Sequence, residues 1–421
     1  MTPHTFEVLM NALMIVGGVF ALYGVYFVFV AAFGLKKPAV PPTVAPKTRF
    51  ALVSAARNEA EVIPRLLESL HAQHYPKELF DIYVAPNNCT DNTREVALAH
   101  GALVFDPEGE IRVKGQVLTQ IVDMLMKSGE YDAICFFDSD NLVHPNFLQK
   151  MNDAHQSGVE VAQGYRDTKN PGDSFMTVCY AIYYWLVNKF YNGGREALGL
   201  SSLVVGSGYM VSVGLLQQLG GWHTATMTED YEFTAQCVLS GRRVHYVAGA
   251  VVYDELPLKF GQSWKQRRRW CTGFVQGMEI YLGSLFSHAF KKRSGVALDM
   301  ALTYMAPALQ MVSLVCGAVS LIFSAYGILR FRIMPATQAV WLVLGVLALA
   351  FVGCCLGAML VVWLNRGHSL RGTGKGILFF AFFLLSWVPI GIICLFKKQA
   401  KWDEIKHTNA VGIEAVKNRK K

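Results

Sequence analysis

Charged side chains and paired cysteines are both scarce in this sequence. Only 17% of the 421 residues are Asp, Glu, Lys or Arg, whereas 52% are hydrophobic, which is too apolar for an ordinary soluble enzyme. The nine cysteines include no CxxC pair and no Cys/His ligand spacing, so neither disulfides nor zinc is predicted. The net charge of +8 comes from basic residues that flank apolar segments or lie in the tail. It therefore does not indicate a nucleic-acid partner.

Four long segments lack every ionisable residue of the types Asp, Glu, Lys, Arg and His. They are residues 12–35, 300–329, 336–364 and 377–396. Roughly 20 apolar residues span a hydrocarbon core of about 30 Å, so each segment is long enough for a membrane helix. Proton-coupled carriers usually hold ionisable groups within the membrane, and their absence here argues against a secondary transporter.

The first segment is predicted to be a membrane helix and not a secretory signal. A signal has an apolar region of about 7 to 15 residues with basic residues ahead of it. Here Lys36 and Lys37 follow the segment instead. Because basic residues favour the cytoplasmic side, the chain after residue 35 is expected in the cytoplasm.

The last apolar segment conflicts with simple alternation across the membrane. If the middle region is cytoplasmic and all three late segments span, the tail lies outside. Eight basic residues of the tail favour the inside: Lys397, Lys398, Lys401, Lys406, Lys417, Arg419, Lys420 and Lys421. We therefore expect a re-entrant or interfacial segment, bent near Pro389, and a cytoplasmic tail.

The chain is thus divided into four regions. Residues 1–46 form a membrane helix and linker, and residues 47–285 form a cytoplasmic domain that ends in an interfacial helix. Residues 286–396 form membrane helices and residues 397–421 a basic tail.

In the cytoplasmic region, "RFALVSAA", "DIYVAP" and "YDAICFF" are predicted strands, and "EVIPRLLESLHAQ" and "TREVALAHG" are predicted helices. Such alternation predicts an α/β layer with a parallel sheet.

Polar clusters follow the three predicted strands. They are "RNEAE" (57–61), "NNCTDNT" (87–93) and "DSDN" (138–141). Ligands of parallel sheets gather at the carboxyl ends of the strands, so the three clusters together predict a site. Each cluster alone is more typical of a turn or a helix cap than of a functional site.

Two acidic motifs provide candidate chemistry. Asp138 and Asp140 are one residue apart in an extended segment, so their carboxylates point the same way and suit Mg²⁺ or Mn²⁺ shared with phosphate oxygens. Asp230 lies in "TED" (228–230), where a helix N-terminus favours its ionised form as a proton acceptor. Thr226 and Glu229 also have capping-box spacing, so this motif is alternatively a plain helix start.

The stretch "WKQRRRWCTG" (264–273) packs four cations between two tryptophans. Basic and aromatic residues of this kind are typical of a cytoplasmic membrane interface. Beside an acidic site, Arg269 is also suited to stabilise a leaving diphosphate, with Trp270 shaping the acceptor pocket. We interpret the stretch as an interfacial helix whose inner face serves chemistry.

DxD, TED and QxxRW in this order, flanked by membrane helices, resemble the family 2 inverting glycosyltransferases of the membrane-embedded polysaccharide synthase type. That group includes cellulose, chitin, hyaluronan and poly-N-acetylglucosamine synthases, and the resemblance covers about residues 50–270. It implies a Rossmann-like α/β domain of the glycosyltransferase A type with flanking transmembrane helices. It also implies a multi-pass plasma membrane protein with a cytoplasmic active site, and a requirement for Mg²⁺ or Mn²⁺.

The resemblance also implies roles for individual residues. Catalysis is assigned to Asp230 as base, Glu229 and Arg269, and the metal to Asp138 and Asp140. Donor contacts are assigned to Glu59, Asn87, Asp91, Lys114, Asp138, Asp140, Gln266 and Arg269. Acceptor contacts are assigned to Gly206, Ser207, Gly208 and Trp270. The family often has Asp where Asn87 stands, which weakens the assignment of uridine as the base. The segment "WDEIKH" (402–407) resembles a tail motif of some members.

The leading functional hypothesis is transfer of a sugar from UDP-N-acetylglucosamine or UDP-glucose to a growing β-linked polysaccharide, which is then exported. The partners are then a nucleotide-sugar donor, a glycan acceptor and the lipid bilayer. Because four segments are few for a wide channel, a second copy or an accessory export subunit is a further partner hypothesis. The alternatives are a glycolipid synthase that adds one sugar to a lipid, and a non-catalytic export subunit. Intact DSD and TED motifs argue against the last.

The segment 175–195 is predicted to be helical and is rich in aromatic residues: Tyr180, Tyr183, Tyr184, Trp185, Phe190 and Tyr191. Aromatic faces stack on sugar rings, but they also fill cores and lie at membrane interfaces. Both interpretations are open from the sequence.

Overall fold

The computed structural model describes residues 2–38, 40–331, 334–365, 370–396 and 412–413. Eight strands form one sheet: β1 Phe50–Ala56, β2 Phe80–Pro86, β3 Leu103–Val104, β4 Ala133–Asp138, β5 Leu142–Val143, β6 Val161–Thr168, β7 Tyr209–Ser212 and β8 His245–Asp254. The α-helices are α1 Pro3–Ala32, α2 Ile63–His71, α3 Thr93–Ala99, α4 Lys114–Ser128, α5 Phe147–Gln156, α6 Phe175–Leu186, α7 Gly193–Leu198, α8 Val213–Leu219, α9 Glu229–Leu239, α10 Phe260–Lys291, α11 Gly295–Arg330, α12 Ala336–Asn365, α13 Gly374–Leu385 and α14 Trp387–Phe396.

The sheet has the order β3-β2-β1-β4-β7-β6-β8-β5. The expected parallel part is present, since β1 pairs in parallel with both β2 and β4, and β2 with β3. The other half is mixed, because β7 runs antiparallel to β4 and β6. Strand β8 then pairs in parallel with β6. The sequence pattern did not predict these antiparallel pairings.

Strand β1 shows why the sheet is buried on both faces. Alternate side chains point to opposite faces of a strand. Phe50 and Leu52 join a core with α2 and α5, whereas Ala51 and Val53 join a second core with α4, α8 and α9. The sequence of a central strand between two helical layers is therefore an unbroken apolar run.

Four helical segments of the described chain are long and apolar enough to cross a membrane. They are His4–Leu35, Gly295–Arg330, Thr337–Asn365 and Gly374–Phe396. The last segment is divided at Ser386 into α13 and α14. Pro389 lacks an N–H, so the carbonyl of Leu385 loses its partner within the helix. The break therefore lies three residues before the proline near which the bend was expected.

Arg267 of α10 stabilises that break. Its guanidinium is fully buried and donates hydrogen bonds to the carbonyl of Phe383 (3.1 Å) and the hydroxyl of Ser386 (2.6 Å). It also lies over the Phe383 ring, 4.5 Å from its centroid. One of the three consecutive arginines thus holds α10 to the divided helix and does not face a membrane surface.

The N-terminal helix is joined to α11 by a buried polar cluster. Asp299 of α11 accepts hydrogen bonds from Arg195 of α7 (2.8 and 3.0 Å) and from Tyr26 of α1 (2.7 Å). Tyr23 of α1 donates to the carbonyl of Leu302 (2.6 Å). Arg195 and Asp299 are 1% and 2% exposed, so either charge would be costly without the other.

The aromatic segment forms three consecutive helical pieces. Helix α6 is followed by a π-helical stretch, Val187–Asn192, and then by α7. This unit packs against two of the long apolar helical segments, with α6 in contact with α12 and α13. π-Helical stretches are rare and occur often at functional sites.

Candidate active site

A cavity of about 460 Å³ lies at the carboxyl ends of β1, β2, β4, β6 and β8 and extends to α11. Eleven of the residues singled out in the sequence line it: Glu59, Asn87, Lys114, Asp138, Asp140, Gly206, Glu229, Asp230, Gln266, Arg269 and Trp270. Asp91, Ser207 and Gly208 do not line it. The wall on the membrane side includes Thr303, Ala306, Pro307 and Gln310 of α11.

Glu59 and Asn87 lie at one end of the cavity, in the loops that follow β1 and β2. The backbone N–H of Asn87 donates to the carbonyl of Ala56 (2.8 Å), which joins the two strand ends. The carboxylate of Asp91 accepts from Thr93 (2.5 Å) and from the N–H of Ala60 (3.1 Å). Asp91 therefore supports the loop that carries Glu59 and does not itself face the cavity.

Lys114, at the start of α4, is the cation closest to the first acidic motif. Its Nζ lies 2.6 Å from Asp138 Oδ1 and 3.5 Å from Glu229 Oε1, and it donates to the carbonyl of Gly206 (3.2 Å). Burial raises the pKa of Asp138, but the charges of Lys114, Arg166 and Arg269 outweigh burial and hold that pKa below its ordinary value. Asp138 is therefore a carboxylate at neutral pH.

The second motif places two acids at the first turn of α9. Thr228 is the N-cap residue and Glu229 the first helical residue, so the helix begins two residues later than the capping-box interpretation from Thr226 predicts. Glu232 accepts from the N–H groups of Ala225 (2.8 Å) and Thr226 (2.7 Å). These bonds fix the loop that leads into the acidic turn.

Asp230 has the protonation behaviour of a general base near neutral pH. Burial is the main cause that raises its pKa, and the charge of Glu229 raises it further, to about 7. The ionised form is therefore less favoured than the position at a helix N-terminus led us to expect. Lys114 and Arg166 oppose the rise. A carboxyl with a pKa close to the working pH is well matched to proton transfer.

Helix α10 brings Gln266, Arg269 and Trp270 to the cavity. The helix can approach α9 because residue 273 is glycine: a Cβ there would lie 2.5 Å from Thr228 Oγ1. Trp270 lies edge-on to Tyr180 (6.1 Å between centroids) and stacks on Trp387 of α14 (6.5 Å). The indole is thus held between α6 and α14, the second half of the divided helix.

The loop 205–208 contributes only Gly206 to the cavity wall from the "GSG" motif. Ser207 is fully buried and bonds to Asn141 and to the N–H of Asp138 (3.1 Å). A Cβ at Gly208 would lie 2.6 Å from Val252 of β8. Both residues therefore attach the loop to the sheet.

Arg166 and Asp254, which no sequence motif singled out, also line the cavity at the ends of β6 and β8. They form an ion pair of 2.5 Å, with side chains 14% and 4% exposed. Burial is the main cause that raises the pKa of Asp254 to about 6, although Arg166 opposes it. A signal was present, since "AVVYDE" is one more apolar strand that ends in acidic residues.

Three aromatic residues of the 175–195 segment, Tyr183, Tyr184 and Tyr191, line the cavity. Tyr180 and Trp185 are buried in the core beneath α13. The segment is therefore partly core and partly cavity wall.

The acidic residues of the cavity suit a divalent cation. Four cationic and seven acidic side chains line it, so a diphosphate would be repelled without an added positive charge. Asp138 and Asp140 offer the hard oxygen ligands that Mg²⁺ and Mn²⁺ prefer. Within the described residues no cluster of three His, Cys, Asp or Glu residues could hold a metal ion. Water and phosphate oxygens would complete the coordination.

Comparisons with known proteins agree with this geometry. A family model described as glycosyltransferase like family 2 matches residues 46–273. The probable glycosyltransferase YdaM of Bacillus subtilis is 22% identical over 268 residues, which is 60% of each chain. The poly-β-1,6-N-acetyl-D-glucosamine synthase of Staphylococcus aureus is 26% identical over 297 residues, 68% of each chain. The β-monoglucosyldiacylglycerol synthase of Nostoc is 25% identical over 229 residues, 53% of this chain and 48% of that protein.

A solved structure shares the architecture across almost the whole chain. The mannosyltransferase PcManGT from Pyrobaculum calidifontis, in complex with GDP-Man and Mn²⁺, superposes with a TM-score of 0.60 at 17% identity. The match covers 91% of this chain and 99% of that one. The family match spans more than half of the residues and includes both acidic motifs and the QxxRW helix. The chain therefore belongs to the glycosyltransferase 2-like family and is a glycosyltransferase with a GT-A-type domain and four helices long enough to span a membrane.

Proposed function

We propose that the protein transfers a sugar with inversion from UDP-N-acetylglucosamine or UDP-glucose to the end of a growing β-linked polysaccharide. The reaction takes place at the cytoplasmic face of the plasma membrane, and the product is passed across. The observation that carries this proposal is the extent of the cavity. It runs from Glu59 and Asn87, at the donor end, to Thr303 and Gln310 on the membrane helix α11.

In the proposed reaction, Asp230 accepts the proton of an acceptor hydroxyl while that oxygen attacks the anomeric carbon of the donor. The bond between this carbon and the diphosphate breaks, and Lys114 and Arg269 stabilise the departing charge. Asp138 and Asp140 would hold a divalent cation, which would supply further positive charge to the diphosphate. A single displacement on an α-linked donor gives a β-glycoside.

Export is supported by the face of α11 that continues from the cavity. After Thr303, Ala306 and Gln310, the same heptad spacing gives Ser313, Gly317, Ser320 and Ser324. Residues spaced by three and four lie on one side of a helix. Small and hydroxylated side chains therefore follow one another from the active site along the membrane helix, as a path for a sugar chain requires.

A glycolipid synthase is the second candidate, and it also has a supporting observation. Pro307 and Gln310 line the cavity and are exposed on the surface of α11. A lipid acceptor could place its headgroup at Asp230 and leave its acyl chains against the membrane helices. The relative from Nostoc has a glycolipid synthase name.

Purified full-length protein in lipid nanodiscs, with Mg²⁺ or Mn²⁺ and a panel of labelled sugar nucleotides, distinguishes the candidates. Released diphosphate and product mass are measured in the same reaction. A high-mass product from one donor is the expected result. A single lipid-linked sugar would replace the polymer proposal with the glycolipid one, and no turnover with any donor would contradict both.

A further inference from the structure

Arg166 is held by contacts to several elements of the active site. Its Nη2 lies 2.5 Å from Asp254 Oδ2 at the end of β8, and its Nη1 donates to the carbonyl of Val205 (2.6 Å). The guanidinium carbon lies 4.9 Å from the ring centroid of Tyr184. One buried side chain thus connects strand β8, the loop before Gly206 and an aromatic wall of the cavity.

The backbone of Arg166 is fixed as firmly as its side chain. Asn188, in the π-helical stretch, accepts from the N–H of Arg166 (3.2 Å) and donates to its carbonyl (2.7 Å). Asn188 is 1% exposed. The π-helical stretch therefore positions the strand residue from which the guanidinium extends.

Asp254 is itself tied to the first acidic motif. It accepts a hydrogen bond from Asn141 Nδ2 (2.8 Å), and Asn141 accepts from the N–H of Asp138 (3.1 Å). Asn141 also bonds to Ser207. Arg166 is consequently one part of a network that holds the loop 205–208 in a defined place relative to Asp138.

The loop held by this network borders the proposed base. Gly206 has a φ of 77°, and a Cβ on it would lie 3.6 Å from both Arg166 Nη1 and Asp230 Oδ2. The absence of a side chain at residue 206 keeps open the space between the cation and the carboxylate. An acceptor hydroxyl that gives its proton to Asp230 must occupy this region.

We propose that Arg166 is a positioning residue for the transfer step. Through its contacts to Val205 and Asp254 it sets the distance between the loop 205–208 and Asp230, and this distance aligns an acceptor hydroxyl with the carboxylate. This inference rests on the proposed sugar transfer. A direct role as the counter-ion of the diphosphate is disfavoured, because both terminal nitrogens already contact a carboxylate or a carbonyl.

The test compares Arg166→Met, Arg166→Ala, Arg166→Lys, Asp254→Asn and the double variant Arg166→Met/Asp254→Asn with the wild-type protein in nanodiscs. UDP affinity is measured by calorimetry, and kcat and donor KM by diphosphate release. The ratio of sugar transferred to diphosphate released is determined in the same samples. Arg242→Met is the matched control, because Arg242 forms a partly exposed ion pair with Glu160 (3.0 Å) and neither residue lines the cavity.

We expect Arg166→Met to lower kcat by about 10- to 100-fold, since misplacement by 1 Å can cost that much, while UDP affinity changes less than about twofold. The ratio of transferred sugar to diphosphate falls, because water competes with a misaligned acceptor. Arg166→Lys is intermediate, since an ammonium cannot make the paired contacts of a guanidinium. The double variant Arg166→Met/Asp254→Asn has a kcat no lower than that of Arg166→Met, as expected for residues that act together. Added guanidinium partly restores Arg166→Ala.

Three results would overturn the inference. Unchanged kcat and transfer ratio in Arg166→Met would show that the position is not needed. A weakened UDP affinity with normal kcat would make Arg166 a donor contact. Loss of UDP binding in Arg166→Met, Arg166→Ala and Asp254→Asn, with no rescue of Arg166→Ala by guanidinium, would assign the pair to folding alone. In each case active wild-type protein leaves the proposed function intact, whereas inactive wild-type protein contradicts both proposals.

Discussion

The pH dependence of turnover should follow the ionisation of Asp230. The base must be deprotonated to accept a proton, so activity is low below its pKa and rises through it. With a pKa of about 7, about 9% of the carboxyl is ionised at pH 6 and about 91% at pH 8. We therefore expect kcat/KM for the donor to increase about tenfold between these pH values. The diphosphate of a nucleotide sugar does not titrate in this range.

The cause of the raised pKa gives a sharper version of this test. Glu229 raises the pKa of Asp230 through its charge, after burial, so Glu229→Gln should move the rise in activity to lower pH. Each variant is compared with its own plateau, because Glu229 also pairs with Lys114 (3.5 Å) and its loss will lower the maximal rate. At pH 6 the variant should retain a larger fraction of its plateau than the wild type.

The assay is the initial rate of diphosphate release between pH 5.5 and 8.5 at constant ionic strength. Asp106→Asn is the control, because Asp106 pairs with Arg94 on the surface (3.0 Å) and should leave the profile unchanged. A flat profile over this range would refute the assignment of Asp230 as base. A shift of Glu229→Gln to higher pH would refute the electrostatic explanation.

Three further changes have definite expected outcomes. Asp230→Asn should reduce kcat by roughly 10²- to 10⁴-fold with unaltered UDP affinity in calorimetry, and normal turnover would contradict the mechanism. Chelation by EDTA should abolish diphosphate release, and added Mg²⁺ or Mn²⁺ should restore it; full activity in EDTA would refute the metal site at Asp138 and Asp140. Gly273→Val should lower the free energy of unfolding by about 1 to 3 kcal/mol and slow turnover, because its side chain would press on Thr228. Gly283→Val, which adds its Cβ to open space, should do neither in the same thermal-melting and rate assays.

Local patterns were sufficient to predict much of the fold. Strand β1 and helix α2 are visible because an apolar run and an amphipathic repeat need only neighbouring residues. Helix α12 is equally easy to predict, because its length and apolar composition are those of a segment that could cross a membrane. The division of the last apolar segment was expected near Pro389 but lies at Ser386, because a proline disturbs the carbonyl four residues before it. The segment "WDEIKH" lies outside the described residues.

The candidate site was only partly visible in the sequence. A motif such as TED can be recognised from adjacent residues alone, so Asp230 could be singled out. Arg166 could not, because its significance depends on the pairing of β6 with β8, and these strands are separated in the chain by β7, four α-helices and the π-helical stretch. Asp91 was assigned to the donor on resemblance, yet its carboxylate bonds to Thr93 and Ala60. The spatial partner of a polar side chain is what the linear pattern leaves undetermined.

The contact between Tyr26 and Asp299 also has a consequence for biogenesis. The two residues are 273 positions apart in the chain, and ribosomes add roughly 5 to 20 residues per second. Helix α1 is therefore made roughly 14 to 55 s before its partner exists, and until then Tyr26 lacks its hydrogen bond to Asp299. Arg195 is likewise synthesised 104 residues ahead of Asp299. Assembly of the N-terminal helix is thus a late event, completed only when α11 leaves the ribosome.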